Sequence, residues 1–257
     1  MESTGKHKEK KEKLIKYMIY LLRCALNGRT PEKQIEANDW NFIWRIAEEN
    51  SVQAIIGKAA KHYNGEMPEE IRKKWGESEK GTLYRQLRYD AERERILQEM
   101  DRNKISYILL KGILLEEYYP EPGMRWMSDN DILYGYVDST GKPDFKGADE
   151  QEKEWWKKKA LETLKTMMEQ LGFSIYKPGV CHDSFEKEPF LKFEMHQRLF
   201  TKTHKKIKAD YFENPWERAF LKKEGSYEYC LRDEDEYIYM TAHAYKHFSR
   251  SGCGIRT

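Results

Sequence analysis

Two aspartates separated by a single residue, Asp129 and Asp131, have the spacing in this sequence that most clearly indicates chemistry. They precede an apolar run at residues 132–134, which we interpret as the continuation of a β-strand. Residues i and i+2 of a strand point to the same face, so the two carboxylates would lie side by side. Like charges at this distance repel each other unless a cation lies between them. Because Mg²⁺ prefers carboxylate oxygens, the pair predicts a metal site that holds a phosphate-bearing substrate.

The residues around this pair indicate how it is positioned. An apolar strand is predicted at residues 105–110 (ISYILL), and Lys111 and Gly112 follow where this strand becomes a turn. Because Gly112 has no Cβ, backbone N–H groups at the turn can approach a phosphate closely. Arg125 and Ser128 then precede the aspartate pair, and they place a cation and a hydroxyl near it in sequence.

A second strand with a polar face is predicted at residues 190–199 (FLKFEMHQRL). Its polar and apolar residues alternate, which is typical of a half-buried strand. Lys192, Glu194 and His196 therefore share one face of it.

The composition is that of a globular protein. The chain has 257 residues, enough for one large domain or two small ones. Although 35% of the residues are charged, seven Trp and seventeen Tyr supply material for a core, which excludes a disordered chain. The net charge of +2 gives no strong electrostatic case for binding duplex DNA or an acidic membrane surface. We therefore expect no membrane partner, and a nucleic acid partner is not favoured.

Several features bear on the cellular location. The cysteines (Cys24, Cys181, Cys230 and Cys253) are far apart and form no CxxC pair, so neither a zinc ribbon nor a disulfide scaffold is indicated. The N-terminal stretch MESTGKHKEKKEK lacks the apolar core of a signal peptide. A run of about 18 apolar residues, as a membrane span requires, does not occur. These features predict a cytoplasmic protein with reduced thiols.

Apolar periodicity predicts the remaining elements. Helices are expected at residues 14–25, 40–47 and 51–63, from Pro68 onward, and at about 78–103. Their aromatic residues are interpreted as core. Further on, a helix at 152–171, a strand at 173–176 and a helix at 234–248 are expected, with helical structure generally beyond Pro215. Residues 138–150 are interpreted as an inserted polar loop and residues 178–189 as a turn-rich connection.

This order of elements predicts an α+β fold with a small mixed β-sheet, helices covering one face, and helical segments before and after it. We expect a helical N-terminal region at residues 1–103, an α/β core at 104–212 and a C-terminal helical segment at 213–257. Because the sequence ends without a plausible closing element, we expect this last segment to be truncated.

Taken in order, the motifs resemble the uncharacterised bacterial nucleotidyltransferase-like family within the polymerase-beta-like nucleotidyltransferase superfamily. The resemblance covers residue 105 to the end, and the family also tends to have a helical N-terminal region. Lys-Gly stands here where the superfamily has Gly-Gly or Gly-Ser. The residues that carry the resemblance are Leu110-Lys111-Gly112, Tyr119-Pro120, Arg125, Ser128-Asp129-Asn130-Asp131-Ile132-Leu133, Leu171-Gly172-Phe173, Glu194-Met195-His196, His243 to His247, and Arg256.

The resemblance implies an enzyme that transfers a nucleoside monophosphate from an NTP to an acceptor hydroxyl and releases pyrophosphate. The acceptor would be a small molecule or a protein. Two divalent ions, Mg²⁺ or Mn²⁺, would neutralise charge during in-line displacement. The implied metal ligands and catalytic residues are Asp129, Asp131 and Glu194, of which Glu194 would also help to deprotonate the acceptor. The implied nucleotide contacts are Lys111, Gly112, Arg125 and Ser128.

Each of these residues also has an ordinary structural interpretation. Asp129 and Asp131 could cap turns and pair with Arg125. Glu194 could be one of the many exposed glutamates that strands carry, and Lys111 could be a surface charge.

The histidines and one basic run leave further alternatives. We interpret His196 as a structural residue or a support for metal ligands rather than a ligand itself. His243 and His247 have a spacing that can bind zinc, with His182 or His196 as a third ligand, but the glutamate base of metalloproteases is absent between them. Helix packing or lining of the active site is the favoured interpretation. The basic run at residues 202–208 is a solvated face or a contact for RNA or an acidic partner.

Two other functions stay open at this point. One is a catalytically inactive nucleotidyltransferase fold that serves as a binding or scaffold protein. The other is a helical interaction protein in which the acidic pair is incidental. The sequence identifies neither the acceptor nor the base of the nucleotide.

Overall fold

The computed structural model describes residues 2–32, 35–136, 143, 148–177, 179, 182–200 and 210–251, without the side chains of residues 2–6 and 250–251. Its contacts divide the chain into two units. The first contains Met1–Leu87 and Glu116–Met127, and the second contains Arg88–Leu115 and Ser128–Ser251. The basic run at 202–208, most of the loop at 138–150 and the chain end from residue 252 lie outside the described residues.

The first unit is helical. It contains α1 (Glu2–Leu26), α2 (Trp40–Glu49), α3 (Gln53–Ala60) and the first part of α4 (Glu69–Arg102). Trp40 is fully buried at its centre, with ring centroids of Tyr63, Tyr17 and Trp75 at 4.9, 6.3 and 6.3 Å. All three neighbours meet it edge-on, the arrangement that aromatic quadrupoles favour. The expectation that these aromatic residues form core is confirmed.

The second unit is built on one mixed sheet. Its described strands are β1 (Ile105–Leu110), β2 (Asn130–Tyr136), β3 (Ser174–Lys177), β4 (His182–Lys187), β5 (Leu191–His196), β6 (Ala219–Leu221) and β7 (Glu228–Leu231), in the order β3-β4-β5-β2-β1-β7-β6. Its helices are the second part of α4, α5 (Gly112–Glu116), α6 (Glu150–Gln170) and α7 (Asp233–Ser251). The predicted α+β class with a mixed sheet is confirmed.

The centre of this sheet combines both strand directions. β2 runs antiparallel to β1 and parallel to β5, while β1 runs parallel to β7. Ile108, Leu110 and Leu133 lie in a buried cluster with Leu231 and Tyr239, so apolar residues of the central strands hold α7. Gly135 of β2 is required for packing, because a Cβ there would lie 2.7 Å from the Trp216 ring.

Three predictions of secondary structure were wrong. Residues 178–189 contain strand β4, which carries Asp183 and Ser184 as buried residues, so its sequence shows no apolar alternation. The region beyond Pro215 contains the strands β6 and β7, which are too short to show a pattern. The two helices expected after Pro68 are one helix, α4. The division at residues 103 and 212 stays a prediction.

No helix in the described part of the chain is both long enough and apolar enough to span a membrane.

Candidate active site

The parallel pairing of β2 with β5 brings together residues that are far apart in sequence. Asp131 is the Cα partner of Glu194, and Asn130 is the partner of Phe193. On its other side, Asp131 is paired with Leu110, the last residue of β1. Asp131 therefore lies between Glu194 and the residue that precedes Lys111.

Asp131 is buried, with 5% of its surface exposed. Its Oδ1 accepts a hydrogen bond from Lys111 Nζ at 2.6 Å and lies 2.7 Å from His196 Nε2. Burial alone would raise the pKa of Asp131, but the hydrogen bond to His196 and the charge of Lys111 outweigh burial and hold the pKa well below its usual range. The carboxylate is therefore ionised, and Lys111 lies beside it as a cation.

Lys111 reaches Asp131 from an unusual backbone conformation. Its φ is +48°, in the left-handed region that side chains other than glycine rarely adopt. The turn follows directly after β1, and α5 begins at Gly112. The turn predicted at Lys111 and Gly112 is present, and Lys111 is its left-handed residue. Contact of Gly112 with a phosphate stays a prediction.

Asp129 lies just before β2 and is half-buried. The Ser128 hydroxyl donates a hydrogen bond to Asp129 Oδ1 at 3.2 Å. Burial, and next the charges of Asp131 and Glu194, raise the pKa of Asp129, while Lys111 and Ser128 oppose part of this effect. These three carboxylates are therefore close enough to repel one another.

Glu194 is the meeting point of a second group of side chains. Its Oε1 lies 2.9 Å from Lys192 Nζ, and its Oε2 lies 3.4 Å from His182 Nε2 and 3.9 Å from His196 Nε2. His182 and His196 are Cα partners across β4 and β5. Burial lowers the pKa of His182, and the charge of Glu194 acts in the opposite direction. One ligand atom from each of His182, Glu194 and His196 lies within 4.8 Å of the others.

Helix α4 fixes the strand ends that carry these groups. The Tyr89 hydroxyl donates to Ser128 O at 2.9 Å and accepts from Lys192 N at 3.1 Å. Arg93 Nη1 donates to the buried Asn130 Oδ1 at 2.8 Å. The start of β2 and the start of β5 are therefore tied to one helix. The sequence offered no signal for Tyr89 and Arg93 beyond the helical pattern of their segment.

His243 of the histidine pair on α7 is affected by the charges of this site. His243 Nε2 and His247 Nε2 lie 3.4 Å apart. Burial, and next the charge of Lys111, lower the pKa of His243 to about 3. His243 is therefore neutral at physiological pH, and its interpretation as a packed or site-lining histidine stays a prediction.

Comparison with known protein families identifies the family to which this chain belongs. Residues 36–139 and 155–257 match the model of a family described as "Uncharacterised nucleotidyltransferase". The chain belongs to this family. Neither the search of curated proteins nor the search of solved structures found a match. Membership in a nucleotidyltransferase family supports nucleotidyl transfer as the general function.

The donor atoms of this nucleotidyltransferase suit a divalent cation. Asp129, Asp131 and Glu194 supply carboxylate oxygens, which hard divalent ions prefer, and His182 and His196 add imidazole nitrogens. The mutual repulsion of the carboxylates is the condition that a bound cation relieves. Arg125 belongs to the first unit, and its predicted contact with the nucleotide stays a prediction.

Proposed function

We propose that the chain is a metal-dependent nucleotidyltransferase that transfers a nucleoside monophosphate from an NTP to a hydroxyl of a small molecule or protein. The observation that carries the proposal is the Asp131–Glu194 register of β2 and β5, which unites carboxylates more than sixty residues apart. Asp129 adds a third carboxylate, whose pKa is raised first by burial and next by the charges of Asp131 and Glu194.

In the proposed reaction the acceptor oxygen forms a bond to the α-phosphorus of the NTP. The bond between that phosphorus and the oxygen bridging to the β-phosphate breaks, and pyrophosphate leaves. The acceptor hydroxyl proton passes to a carboxylate of the group. Divalent ions held by Asp129, Asp131 and Glu194, when bound, would neutralise triphosphate charge and polarise the reacting phosphate.

The other side chains have positioning roles in this proposal. Lys111 lies beside the carboxylates and can turn its ammonium group to the triphosphate when a cation replaces it at Asp131. Ser128 is within hydrogen-bond distance of Asp129 and orients its carboxylate. Arg93 and Tyr89 hold the strand ends, so the spacing of the carboxylates does not depend on substrate.

A transfer assay with two positions of label tests the proposal. The full chain is incubated with cell extract, Mg²⁺ or Mn²⁺ and each NTP, labelled in separate experiments at the α- or the γ-phosphate. Label from the α-phosphate alone should appear on an acceptor. The double variant Asp129→Ala/Asp131→Ala should transfer none, while the exposed Asp210→Ala should behave as wild type.

Two results would contradict the proposal. Transfer of the γ-label would identify a phosphotransferase instead. If wild type neither transfers label nor binds any NTP, the inactive scaffold is the correct alternative.

A further inference from the structure

We infer that His182, Glu194 and His196 form a site for a transition-metal ion, which takes Co²⁺ or Zn²⁺ in preference to Mg²⁺. The inference rests on the proposed function only for the role that the ion would serve. Binding of the ion requires no nucleotide.

The strand geometry brings the side chains of His182, Glu194 and His196 together. Glu194 and His196 are two residues apart on β5 and share a face, and His182 on β4 is the direct partner of His196. Glu194 Oε2 faces both imidazoles, at 3.4 Å from His182 Nε2 and 3.9 Å from His196 Nε2. Ligand atoms at about 2.0–2.2 Å from a zinc-like ion lie roughly 3–3.5 Å from their neighbours. Because the three ligand atoms lie within 4.8 Å of one another, their side chains would move inward when an ion binds.

The two imidazoles add nitrogen donors to carboxylates that already have a cation. Glu194 already has Lys192 at its Oε1, and Asp131 already has Lys111 at its Oδ1. Each carboxylate is thus paired with one cation before either histidine is considered. The histidines nevertheless face these same two carboxylates, since His196 Nε2 lies 2.7 Å from Asp131 Oδ1. Imidazole nitrogens beside carboxylate oxygens form a donor set that transition-metal ions accept.

The three candidate ligands differ in their exposure to solvent. The side chain of His196 is buried and that of Glu194 nearly so, whereas the His182 side chain is 34% exposed. Two of the candidate ligands are therefore enclosed by protein, and the third is open to solvent. Because Mg²⁺ is bound through oxygen and imidazole suits Zn²⁺, Co²⁺ and related ions, this donor set discriminates between the two classes.

Cobalt binding in the absence of nucleotide tests the inference. The full chain is treated with a chelator and titrated with Co²⁺, whose visible absorption reports imidazole ligation, and in parallel with Mg²⁺. Wild type should bind Co²⁺ at least about tenfold more tightly than Mg²⁺. His182→Ala should weaken Co²⁺ binding at least about tenfold and leave Mg²⁺ binding unchanged. His196→Ala should do the same if circular dichroism shows that it folds.

Two matched variants serve as controls. His62→Ala removes an exposed histidine of the first unit and should change nothing. His247→Ala removes half of the α7 pair and should also bind Co²⁺ as wild type does. The inference is overturned if His182→Ala retains wild-type Co²⁺ affinity, or if Co²⁺ binding is lost in His247→Ala instead.

Failure of this inference is distinguishable from failure of the proposed function. Selective Co²⁺ binding without α-label transfer would contradict the transferase and leave the metal site standing. Transfer supported by Mg²⁺ alone, with no imidazole-dependent Co²⁺ binding, would leave the transferase and remove the metal site.

Discussion

The buried centres of the two units have opposite chemistry. Around Trp40 in the first unit, burial is achieved with aromatic rings and aliphatic side chains. Around Asp131 in the second unit, burial includes charged and hydrogen-bonded groups. Among the described residues, nine polar or charged side chains are buried, and Thr82 is the one that lies in the first unit.

Apolar burial in the first unit is expected to serve stability, whereas charged burial in the second unit is expected to serve function. Apolar burial stabilises a fold at little cost, whereas each buried charge loses hydration and must be compensated. Replacing a buried ion pair with apolar residues is often neutral or stabilising. The second unit retains Asp131, His196 and Lys111 in spite of this, which is expected where the groups are needed for chemistry.

The largest effect is expected at Asp131. Asp131→Asn keeps the shape and removes the charge, and transfer should fall at least about a thousandfold, equivalent to roughly 4 kcal/mol of activation free energy. The free energy of unfolding should fall by less than it does for Trp40→Ala. Rate measurements on the variant, with Asp210→Asn as the control, check this. If Asp131→Asn keeps half the wild-type transfer rate, the Asp131 carboxylate is not required for transfer and the second unit is not the functional centre.

Trp40 should show the reverse behaviour. Trp40→Ala is expected to lower the free energy of unfolding by about 3–5 kcal/mol, because it leaves a large cavity among aromatic rings. Transfer per folded molecule should not change. Urea unfolding followed by circular dichroism measures the loss, and Trp155→Ala, at a 54% exposed position, should cost less than about 1 kcal/mol. If Trp40→Ala loses transfer without losing stability, the aromatic core takes part in transfer as well as in stability.

A smaller effect concerns pH and His243. Its pKa is lowered from 6.5 to about 3, so protonation favours the unfolded chain. Its contribution to stability is complete above about pH 6.5 and is lost as the pH falls. Relative to His243→Gln, the chelator-treated wild type should therefore lose stability between about pH 7 and 5, by no more than about 1.4 kcal/mol per pH unit. Urea midpoints that stay parallel across this range would show that His243 is not held neutral.

The smallest effect isolates the backbone at Lys111. Lys111→Gly and Lys111→Ala both remove the ammonium group from Asp131, but only glycine accepts a φ of +48° without strain. The glycine variant should be more stable than the alanine variant by roughly 1 kcal/mol, and both should lose transfer to the same extent. Thermal unfolding of the two proteins compares them directly. Equal stability would mean that the conformation carries no strain.

Much of this comparison could be predicted from the sequence. Helical periodicity identified the aromatic core of the first unit, and alternation in residues 190–199 placed Glu194 and His196 on one face, as β5 shows. The close approach of Asp131 and Glu194 could be expected only from the family resemblance. Strand pairing over more than sixty residues is decided by tertiary packing and leaves no local pattern.

Other parts of the site could not be predicted for local reasons. His182 lies on β4, whose buried polar residues conceal the strand pattern, so its place beside Glu194 was missed. The Lys111–Asp131 pair depends on a positive φ at a residue other than glycine, which sequence preferences disfavour. The ties from Tyr89 and Arg93 join α4 to strands far away in sequence.

The carboxylates of Asp131 on β2 and Glu194 on β5 are proposed to hold a divalent cation. A crystal structure with Mn²⁺ and a non-hydrolysable NTP, read through the anomalous signal of manganese, tests this proposal most directly. An anomalous peak is expected within coordination distance of Asp131 and Glu194 oxygens, with the triphosphate beside it. A peak at His243 and His247, or bound nucleotide with no manganese near these carboxylates, would contradict the proposal.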